Sequence, residues 1–353
     1  MSYLRKNIDA MAGYTPGEQP GEGRRVIKLN TNENPYPPSP RVIEALRDVA
    51  PDRLRRYPDP MANKVRDIVA GMFDVRRENV LCSNGSDELL TLIVRAVVGE
   101  GEAVAYPTPT YSLYPVLADI QAAKAIEIPT QADFSLPVAE LARTKARLMI
   151  LCNPNAPTGV FTSVETLGRI AERFPGVVVV DEAYVDFSSD HAMRLAKTLP
   201  NVLVFRTLSK SYSLAGLRFG YAVGAAELIK GLEKVKDSYN VDAVSIALAA
   251  EALQDQAWML ASAEKIRSER ARLSARLDDL GFTVTPSEAN FILAAVPGGD
   301  GRAWYEGLKG RGILVRWWDL PRLADKLRIT VGTPEENNAL LAALEEMKKE
   351  VAP

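Results

Sequence analysis

Between residues 41 and 224, apolar runs of strand length alternate with stretches of helical periodicity. The strand-like runs are VLCS, AVAYP, AIEIP, RLMILC, VVVV, VLVF and GYAVG. Helical stretches such as NKVRDIVAGMF and VETLGRIAERF precede or separate them. Strands that alternate with helices predict a mostly parallel sheet sandwiched by helices on both faces. The sequence therefore predicts an α/β fold for this part of the chain.

The remainder of the chain predicts two further units. A long helical region follows residue 225, and Gly281 is placed to end it, as glycine often does after a helix. Short strands and helices then follow to the end and predict a smaller α+β domain. A chain of 353 residues is long enough to form two domains, each with its own hydrophobic core. We predict an N-terminal arm over 1–40, a large domain over 41–245 and a small domain over 246–353.

Charge and histidine content narrow the function. The 43 basic and 45 acidic residues give a net charge of −2, so no overall basic field favours nucleic acid or an acidic membrane surface. Small-molecule chemistry is the better expectation. His191 is the single histidine in the sequence, which argues against a histidine base and against a histidine-rich metal site. We predict no metal.

Cysteine usage and hydropathy bear on the compartment. Cys82 and Cys152 are far apart, have no metal-ligand spacing and lie in apolar runs, so we expect them to pack as small hydrophobes. The N-terminus lacks the apolar core of a signal peptide, and no apolar run approaches the ~18 residues of a membrane span. These features predict a cytoplasmic protein.

Three residues at predicted strand ends suggest a cofactor. Lys210 follows the apolar run 202–205, where burial would lower the pKa of its amine and make it nucleophilic. Arg218 offers a planar fork of donors that suits a phosphate. Asp181 ends a run of four valines, at the sheet edge where α/β proteins bind ligands. Together they suggest pyridoxal phosphate, with a Schiff base on the lysine, the phosphate on the arginine and the ring nitrogen on the aspartate.

A turn between a predicted strand and a predicted helix offers a second anion site. In SNGSDELL, glycine lets the backbone approach a ligand, and the free N–H groups at the helix start bind phosphate. The alternative is an ordinary helix cap by Ser86. The chain has no GxGxxG motif and no Walker lysine loop. These absences argue against an enzyme that uses a nicotinamide cofactor or ATP.

Five motifs carry a resemblance to a known family. SNGSDELL, CNPNAPTG, VVVVDEAYVDF, SKSYSLAGLRFGY and LRITVGT, in this order and spacing, resemble the fold-type-I pyridoxal-phosphate aminotransferases, and within them the histidinol-phosphate aminotransferases. The resemblance covers nearly the whole chain, from KLNTNENPYPPSP to LRITVGTPEENN. It implies a homodimer, whose N-terminal arms pack on the small domain and reach toward the partner's active site.

The resemblance also assigns residues to the cofactor. The backbone amides of Ser86 and Asp87 would hold the phosphate, assisted by the side chains of Ser209 and Arg218. Tyr111 would stack on the ring, and Tyr57 would reach the phosphate from the partner subunit. Lys210 would form the Schiff base and then act as the general base that moves the substrate proton.

The residue that contacts the 3'-oxygen of the cofactor stays open. The family often has asparagine immediately before Pro-Thr-Gly, whereas this chain has Ala156 there. Either Asn155 shifts to take this role, or Tyr184, which matches a second donor, performs it alone.

The resemblance further implies a substrate site. Arg328 would hold the substrate anion, Arg316 would assist, and Tyr14 would add a donor from the partner subunit. The implied reaction converts L-histidinol phosphate and 2-oxoglutarate to imidazole acetol phosphate and L-glutamate, in histidine biosynthesis. Trp317 and Trp318 leave an aromatic amino-acid aminotransferase open, and a threonine-phosphate decarboxylase is a second alternative. A non-catalytic binding module would be expected to have lost Lys210 or Asp181, and both are present.

Overall fold

The computed structural model of the protein describes residues 2–15, 17–20 and 26–351, and the predicted arm over 1–40 falls partly outside the described residues. The strands are β1 (Ile27–Lys28), β2 (Val80–Ser83), β3 (Ala103–Thr108), β4 (Lys124–Pro129), β5 (Leu148–Cys152), β6 (Val177–Asp181), β7 (Val202–Thr207), β8 (Gly220–Gly224), β9 (Thr283–Thr285), β10 (Phe291–Ala295), β11 (Ile313–Leu314) and β12 (Lys326–Thr330). The α-helices are α1 (Lys6–Ala10), α2 (Pro40–Arg47), α3 (Pro51–Leu54), α4 (Asn63–Phe73), α5 (Ser86–Val97), α6 (Leu113–Ile120), α7 (Val138–Arg143), α8 (Val164–Ala171), α9 (Met193–Thr198), α10 (Ala226–Glu233), α11 (Ala243–Gln254), α12 (Gln256–Asp279), α13 (Gly301–Gly310) and α14 (Pro334–Val351).

The central sheet has seven strands in the order β2-β8-β7-β6-β5-β3-β4. The neighbours from β7 to β4 run parallel, whereas β8 runs antiparallel to both β7 and β2. This arrangement confirms the prediction of a mostly parallel sheet. Because parallel strands end at the same edge, the residues that follow β5, β6 and β7 are brought together there.

The valine-rich strand β6 shows why its sequence does not alternate between apolar and polar residues. Val178 and Val180 pack into the core beneath α4, α8 and α9, while Val179 packs into the opposite core beneath α5, α6 and α10. Both faces of the strand are therefore buried, as a parallel sheet requires. Each fully buried valine contributes about 1.5–3 kcal/mol of apolar burial, which anchors Asp181 at the strand end.

A second, smaller sheet has the antiparallel order β12-β10-β9, and β11 pairs in parallel with β1. Helices α12 and α13 pack with these strands, and α14 packs on α12 and α13. The predicted boundaries at 40 and 245 stay a prediction. The predicted helical region is interrupted at Asp255, whose carboxylate accepts a hydrogen bond from the Trp258 N–H and so caps α12. Gly281, with a φ of 89°, follows the end of α12 as predicted.

The N-terminal segment contains secondary structure that the sequence did not predict. Asn7 on α1 donates 2.7 Å to the Asp119 carbonyl of α6, so this helix packs on the unit that carries the large sheet. Strand β1 instead pairs with β11 beside the small sheet. The segment therefore contacts both units of its own chain.

The two cysteines and the single histidine of the sequence differ in burial. Cys82 and Cys152 are buried and unpaired, as predicted, and burial raises the pKa of the Cys82 thiol to about 12. His191 is exposed. Across 2–15, 17–20 and 26–351, no helix has both the length and the apolar character that a membrane crossing demands.

Candidate active site

A cavity of about 600 Å³ opens at the carboxyl edge of the large sheet. Its walls come from the turns after β5, β6 and β7, from the start of α5, from the N-terminal segment and from the small sheet. Most of the predicted site residues line it: Tyr14, Ser86, Asp87, Tyr111, Asp181, Tyr184, Ser209, Lys210, Arg218, Arg316 and Arg328. Asn155 and Tyr57 do not belong to this lining.

Lys210 lies in the turn after β7 and points into the cavity. Its Nζ donates to the Thr31 carbonyl oxygen at 3.3 Å and lies 5.6 Å from the ring centre of Tyr184. Burial, together with the positive charge of Arg328, lowers the pKa of this amine to about 8. At pH 7 about a tenth of the amine is therefore unprotonated and able to act as nucleophile or base.

Asp181 ends β6 and is 3% exposed. Its Oδ2 accepts a hydrogen bond from the Tyr114 hydroxyl at 2.8 Å, and its Oδ1 accepts one from the Ala183 N–H at 3.2 Å. Burial raises the pKa of the carboxyl to about 6. At neutral pH the group is mostly ionised and can accept an N–H from a ligand in the cavity.

Two glycines shape an anion cradle at the start of α5. A Cβ on Gly85 would lie 2.8 Å from Arg218 Nη2, and a Cβ on Gly220 would lie 2.8 Å from the backbone of Gly85 and Ser86. Gly85 has a φ of 83°, which favours glycine. It is also the N-cap of α5, so the alternative that Ser86 caps this helix is wrong.

The donors around the cradle suit a phosphate. The first N–H groups of α5 have no partner within the helix and attract an anion. Arg218 places Nη1 at 3.3 Å from the Ser209 hydroxyl and Nη2 at 3.1 Å from the Asp87 carboxylate. Helix N–H groups, a hydroxyl and a guanidinium thus converge where a phosphate with two charges fits. Lys210 and Asp181 share the same cavity, so the donor set as a whole fits pyridoxal phosphate.

Tyrosine rings form one wall of the cavity. The ring centre of Tyr14 lies 5.9 Å from that of Tyr111, in an edge-on contact. The resemblance implies that Tyr14 acts in the partner's site, whereas here it lines the cavity of its own chain. Tyr57 stacks on Tyr239 with ring centres 4.5 Å apart and remains 81% exposed.

The structure distinguishes the two candidates for the 3'-oxygen contact. Asn155 donates to the Pro109 carbonyl and the Thr158 hydroxyl, and its Oδ1 accepts from Thr110, so its amide holds its own loop. Tyr184 instead accepts a hydrogen bond from Asn32 Nδ2 at 3.0 Å, which leaves its O–H available to a ligand. These contacts favour Tyr184 over Asn155.

Asn32 itself was missed by the sequence analysis, although it lies within the motif KLNTNENPYPPSP that carried part of the resemblance. It has a φ of 56° and is held by Thr330 and by the Asn290 side chain, which donates to its carbonyl. Contacts from the small sheet thus fix the buried Asn32, and Asn32 in turn orients Tyr184 at the edge of the large sheet.

Two arginines, one on β12 and one bridged to it, line the same cavity. Arg316 and Arg328 form a backbone bridge, and their guanidinium carbons lie 5.3 and 5.2 Å from the Trp318 ring centre. Arg328 Nη2 donates to the Asn30 carbonyl at 2.8 Å, while its buried Nε finds no hydrogen-bond partner among the described residues. Two neighbouring cations repel each other, and an anion bound between them relieves this repulsion. Trp317 turns away and donates to the Ala324 carbonyl.

A buried charge network lies behind the catalytic candidates and was also missed. Arg206 on β7 donates 2.9 Å to Glu182, the residue after Asp181, and 3.3 Å to Asp186. Asp186 in turn accepts from the hydroxyl of Ser211, the residue after Lys210. The network therefore ties the turn that carries the lysine to the strand that carries the aspartate.

Replacement of Arg206 by methionine is expected to lower the free energy of unfolding by about 3–5 kcal/mol, because it leaves the buried carboxylate of Glu182 and the half-buried carboxylate of Asp186 without their cation. The measurement is urea unfolding at fixed protein concentration. Arg194→Met is the matched control, since Arg194 pairs with Glu165 on the surface and such pairs contribute below about 1 kcal/mol. Equal losses in the two variants would show that the buried network does not stabilise the site.

The fold and the site together define a class: the fold-type-I pyridoxal-phosphate enzymes, with a strand-end lysine, a buried aspartate and a phosphate cradle in one cavity. Comparison with known families is more specific. The chain belongs to the aminotransferase class I and II family, whose model matches residues 24–344.

Individual relatives and solved structures are similar over the full length. Histidinol-phosphate aminotransferase 1 of Trichormus variabilis is 46% identical over 346 residues, which cover 98% of this chain and 99% of the relative. Histidinol-phosphate aminotransferase of Citrifermentans bemidjiense is 44% identical over 347 residues, covering 98% and 99%. The crystal structure of histidinol-phosphate aminotransferase from Sinorhizobium meliloti in complex with pyridoxal-5'-phosphate matches with a TM-score of 0.90 and 26% identity, covering 100% and 99%.

Proposed function

We propose that this chain is a histidinol-phosphate transaminase that uses pyridoxal phosphate. It transfers the amino group of L-histidinol phosphate to 2-oxoglutarate and releases imidazole acetol phosphate and L-glutamate, a reaction of histidine biosynthesis. The observation that supports the proposal is that Arg328 and Arg316 line the same cavity as Lys210, where they would bind the anion of the substrate. The full-length relatives at 44–46% identity support the same substrate.

Both substrates need this anion site. Histidinol phosphate carries its charge on a phosphate, and 2-oxoglutarate carries carboxylates, so either one offers an anion to the planar donor fork of Arg328. The Trp318 ring packs against both guanidinium groups and limits their movement. The phosphate or carboxylate therefore fixes the orientation of each substrate relative to Lys210.

The cofactor would be held by residues that already converge. The α5 N–H groups, Ser209 and Arg218 would bind its phosphate, Asp181 its ring nitrogen, Tyr184 its 3'-oxygen and Tyr111 the face of its ring. Bound there, pyridoxal phosphate supplies an electron sink for the charge left on the substrate's amine-bearing carbon.

Proton transfer falls to Lys210. An amine with a pKa of about 8 removes a proton near neutral pH and, once protonated, returns it readily. Desolvation and the charge of Arg328 hold the pKa at this value, so the group that binds the substrate anion also tunes the base. Tyr111 and Tyr184 cover the cavity around Lys210 and reduce access of water to the transferred proton.

The proposal includes that the protein is a homodimer and is cytoplasmic. Tyr57, Tyr239 and Leu54 are large exposed side chains, and Tyr57 and Tyr239 stack on each other. Contact with a second copy would cover them and would bring Tyr57 to the partner's cofactor phosphate. Analytical ultracentrifugation that returned only monomer at micromolar concentration would contradict this part.

The test of the reaction measures L-glutamate formed from 2-oxoglutarate with three donors at equal concentration: L-histidinol phosphate, L-phenylalanine and O-phospho-L-threonine. Histidinol phosphate is expected to give a kcat/KM at least about 10²-fold above that of phenylalanine, because only the former places a phosphate between the arginines. Preference for phenylalanine would instead define an aromatic aminotransferase. Release of carbon dioxide from phosphothreonine without glutamate would define a decarboxylase.

A further inference from the structure

We propose that Tyr114 is a positioning residue that holds the carboxylate of Asp181 in its ionised form and in a fixed direction for the ring nitrogen of the cofactor. This inference rests on the proposed function and deepens it. Tyr114 was not among the residues that the sequence or the family resemblance assigned to the site.

The geometry of Tyr114 leaves little freedom. Its side chain is completely buried, on α6, and its hydroxyl lies 2.8 Å from Asp181 Oδ2. The ring packs against Tyr106 at 5.9 Å and against Tyr111 at 5.7 Å between centres. Because the ring is held between two others, its hydroxyl oxygen has a fixed position beside Asp181, and the carboxylate that accepts from it is held in place in turn.

The electrostatic surroundings of Asp181 make this donor necessary. Burial raises the pKa of the Asp181 carboxyl, and the nearby carboxylates of Asp87 and Glu182 raise it further. The Cys152 thiol and the Tyr184 phenol also face the group. Opposing these effects are two hydrogen bonds to the charged form, from Tyr114 and from the Ala183 N–H. Tyr114 therefore supplies the one side-chain donor to Asp181 among the described residues.

Tyr114 affects which group carries the proton that Asp181 and the ring nitrogen of the cofactor would share. An ionised Asp181 accepts the N–H of a protonated ring nitrogen, and that protonated ring is the stronger electron sink. Without the phenol, the carboxyl retains its own proton at neutral pH and the ring nitrogen is left neutral. Tyr114 thus acts through Asp181 without touching the substrate.

The experiment compares Tyr114→Phe with Tyr106→Phe. Both variants remove one hydroxyl from the same buried ring cluster, but the Tyr106 hydroxyl lies 3.3 Å from Glu127 and not at Asp181. The first readout is infrared titration of the apoenzyme, in which the protonated-carboxyl band of Asp181 is assigned by its loss in Asp181→Asn. We expect the pKa of Asp181 to rise by about one to two units in Tyr114→Phe, the value of one hydrogen bond to a charged group, and to stay unchanged in Tyr106→Phe.

The second readout is the dissociation constant of pyridoxal phosphate, measured by equilibrium dialysis across pH. Tyr114→Phe is expected to weaken binding about 10-fold at pH 7 and less above pH 9, where Asp181 is ionised in either protein. Tyr114→His, which keeps a ring and an N–H donor, is expected to recover part of the loss.

An unchanged Asp181 titration in a folded Tyr114→Phe protein would overturn the proposal, as would an equal shift in Tyr106→Phe. If Tyr114→Phe does not fold, Tyr114→Met, which also lacks a donor, provides the same titration: a raised pKa of Asp181 is the expected result, and an unchanged pKa overturns the proposal. Because the titration is made on apoenzyme, it does not depend on the substrate. A failure of histidinol phosphate as donor would therefore refute the proposed function separately.

Discussion

Replacement of Lys210 by alanine is expected to lower the rate of glutamate formation by about 10⁴-fold. The amine at this position both anchors the cofactor covalently and moves the proton at the substrate carbon, and a positioned base alone contributes about 10²–10⁴-fold. Among the described residues, the Lys210 amine contacts the Thr31 carbonyl and the Tyr184 ring, and neither group is a base near neutral pH. The measurement is kcat with L-histidinol phosphate and 2-oxoglutarate as substrates.

A matched control and a rescue sharpen this test. Lys230→Ala removes an exposed lysine on α10 and is expected to leave kcat unchanged. A small primary amine added to Lys210→Ala is expected to recover part of the activity, because the truncated side chain leaves space for it beside the cavity. Near wild-type turnover in Lys210→Ala without any added amine would rule out the role given to this lysine.

The fold was largely readable from the sequence for a physical reason. A parallel strand buried on both faces must be apolar at every position. Apolar runs such as 177–180 and 202–205 therefore indicate buried strands. The residues that end such runs share one edge of the sheet, which is why Asp181 and Lys210 could be placed in one site. The break at Asp255 was not readable, because the residues on both sides continue the helical pattern.

The parts of the site that sequence missed depend on distant contacts. Asn32 meets Tyr184 across 152 positions, and Tyr114 meets Asp181 across 67. Nothing in the local pattern around either residue marks it as polar and buried, since Asn32 sits in an irregular segment and Tyr114 in a short apolar helix. Asn155 shows the opposite case: its motif pointed to the cofactor, whereas neighbouring donors and acceptors occupy its amide. Family motifs locate a site, and packing decides which side chains remain available to a ligand.

Replacement of Arg328 by glutamine is expected to lower kcat/KM for L-histidinol phosphate by about 10²–10³-fold. A guanidinium gives an anion two charge-assisted hydrogen bonds of about 1.5–3 kcal/mol each, and glutamine replaces them with at most one neutral bond. The buried Nε of Arg328, which lacks a partner among the described residues, gains a hydrogen bond when an anion binds. The same variant is expected to weaken use of 2-oxoglutarate, because one arginine serves both substrates. Steady-state kinetics with each substrate varied in turn provides the measurement.

The decisive comparison pairs this variant with a donor that lacks the phosphate. If Arg328 holds the phosphate, L-histidinol must be a poor donor for the wild-type protein, and Arg328→Gln must change its kcat/KM far less than that of L-histidinol phosphate. Arg316→Gln is expected to cause a smaller loss of about 10-fold, since Arg316 assists from the other side of Trp318. Arg311→Gln, which removes a surface arginine paired with Glu350, is expected to have no effect. An equal loss for both donors in Arg328→Gln would mean that the arginine acts through the base Lys210 or through the fold of the site and does not hold the phosphate, because only a direct contact depends on the group that the substrate carries.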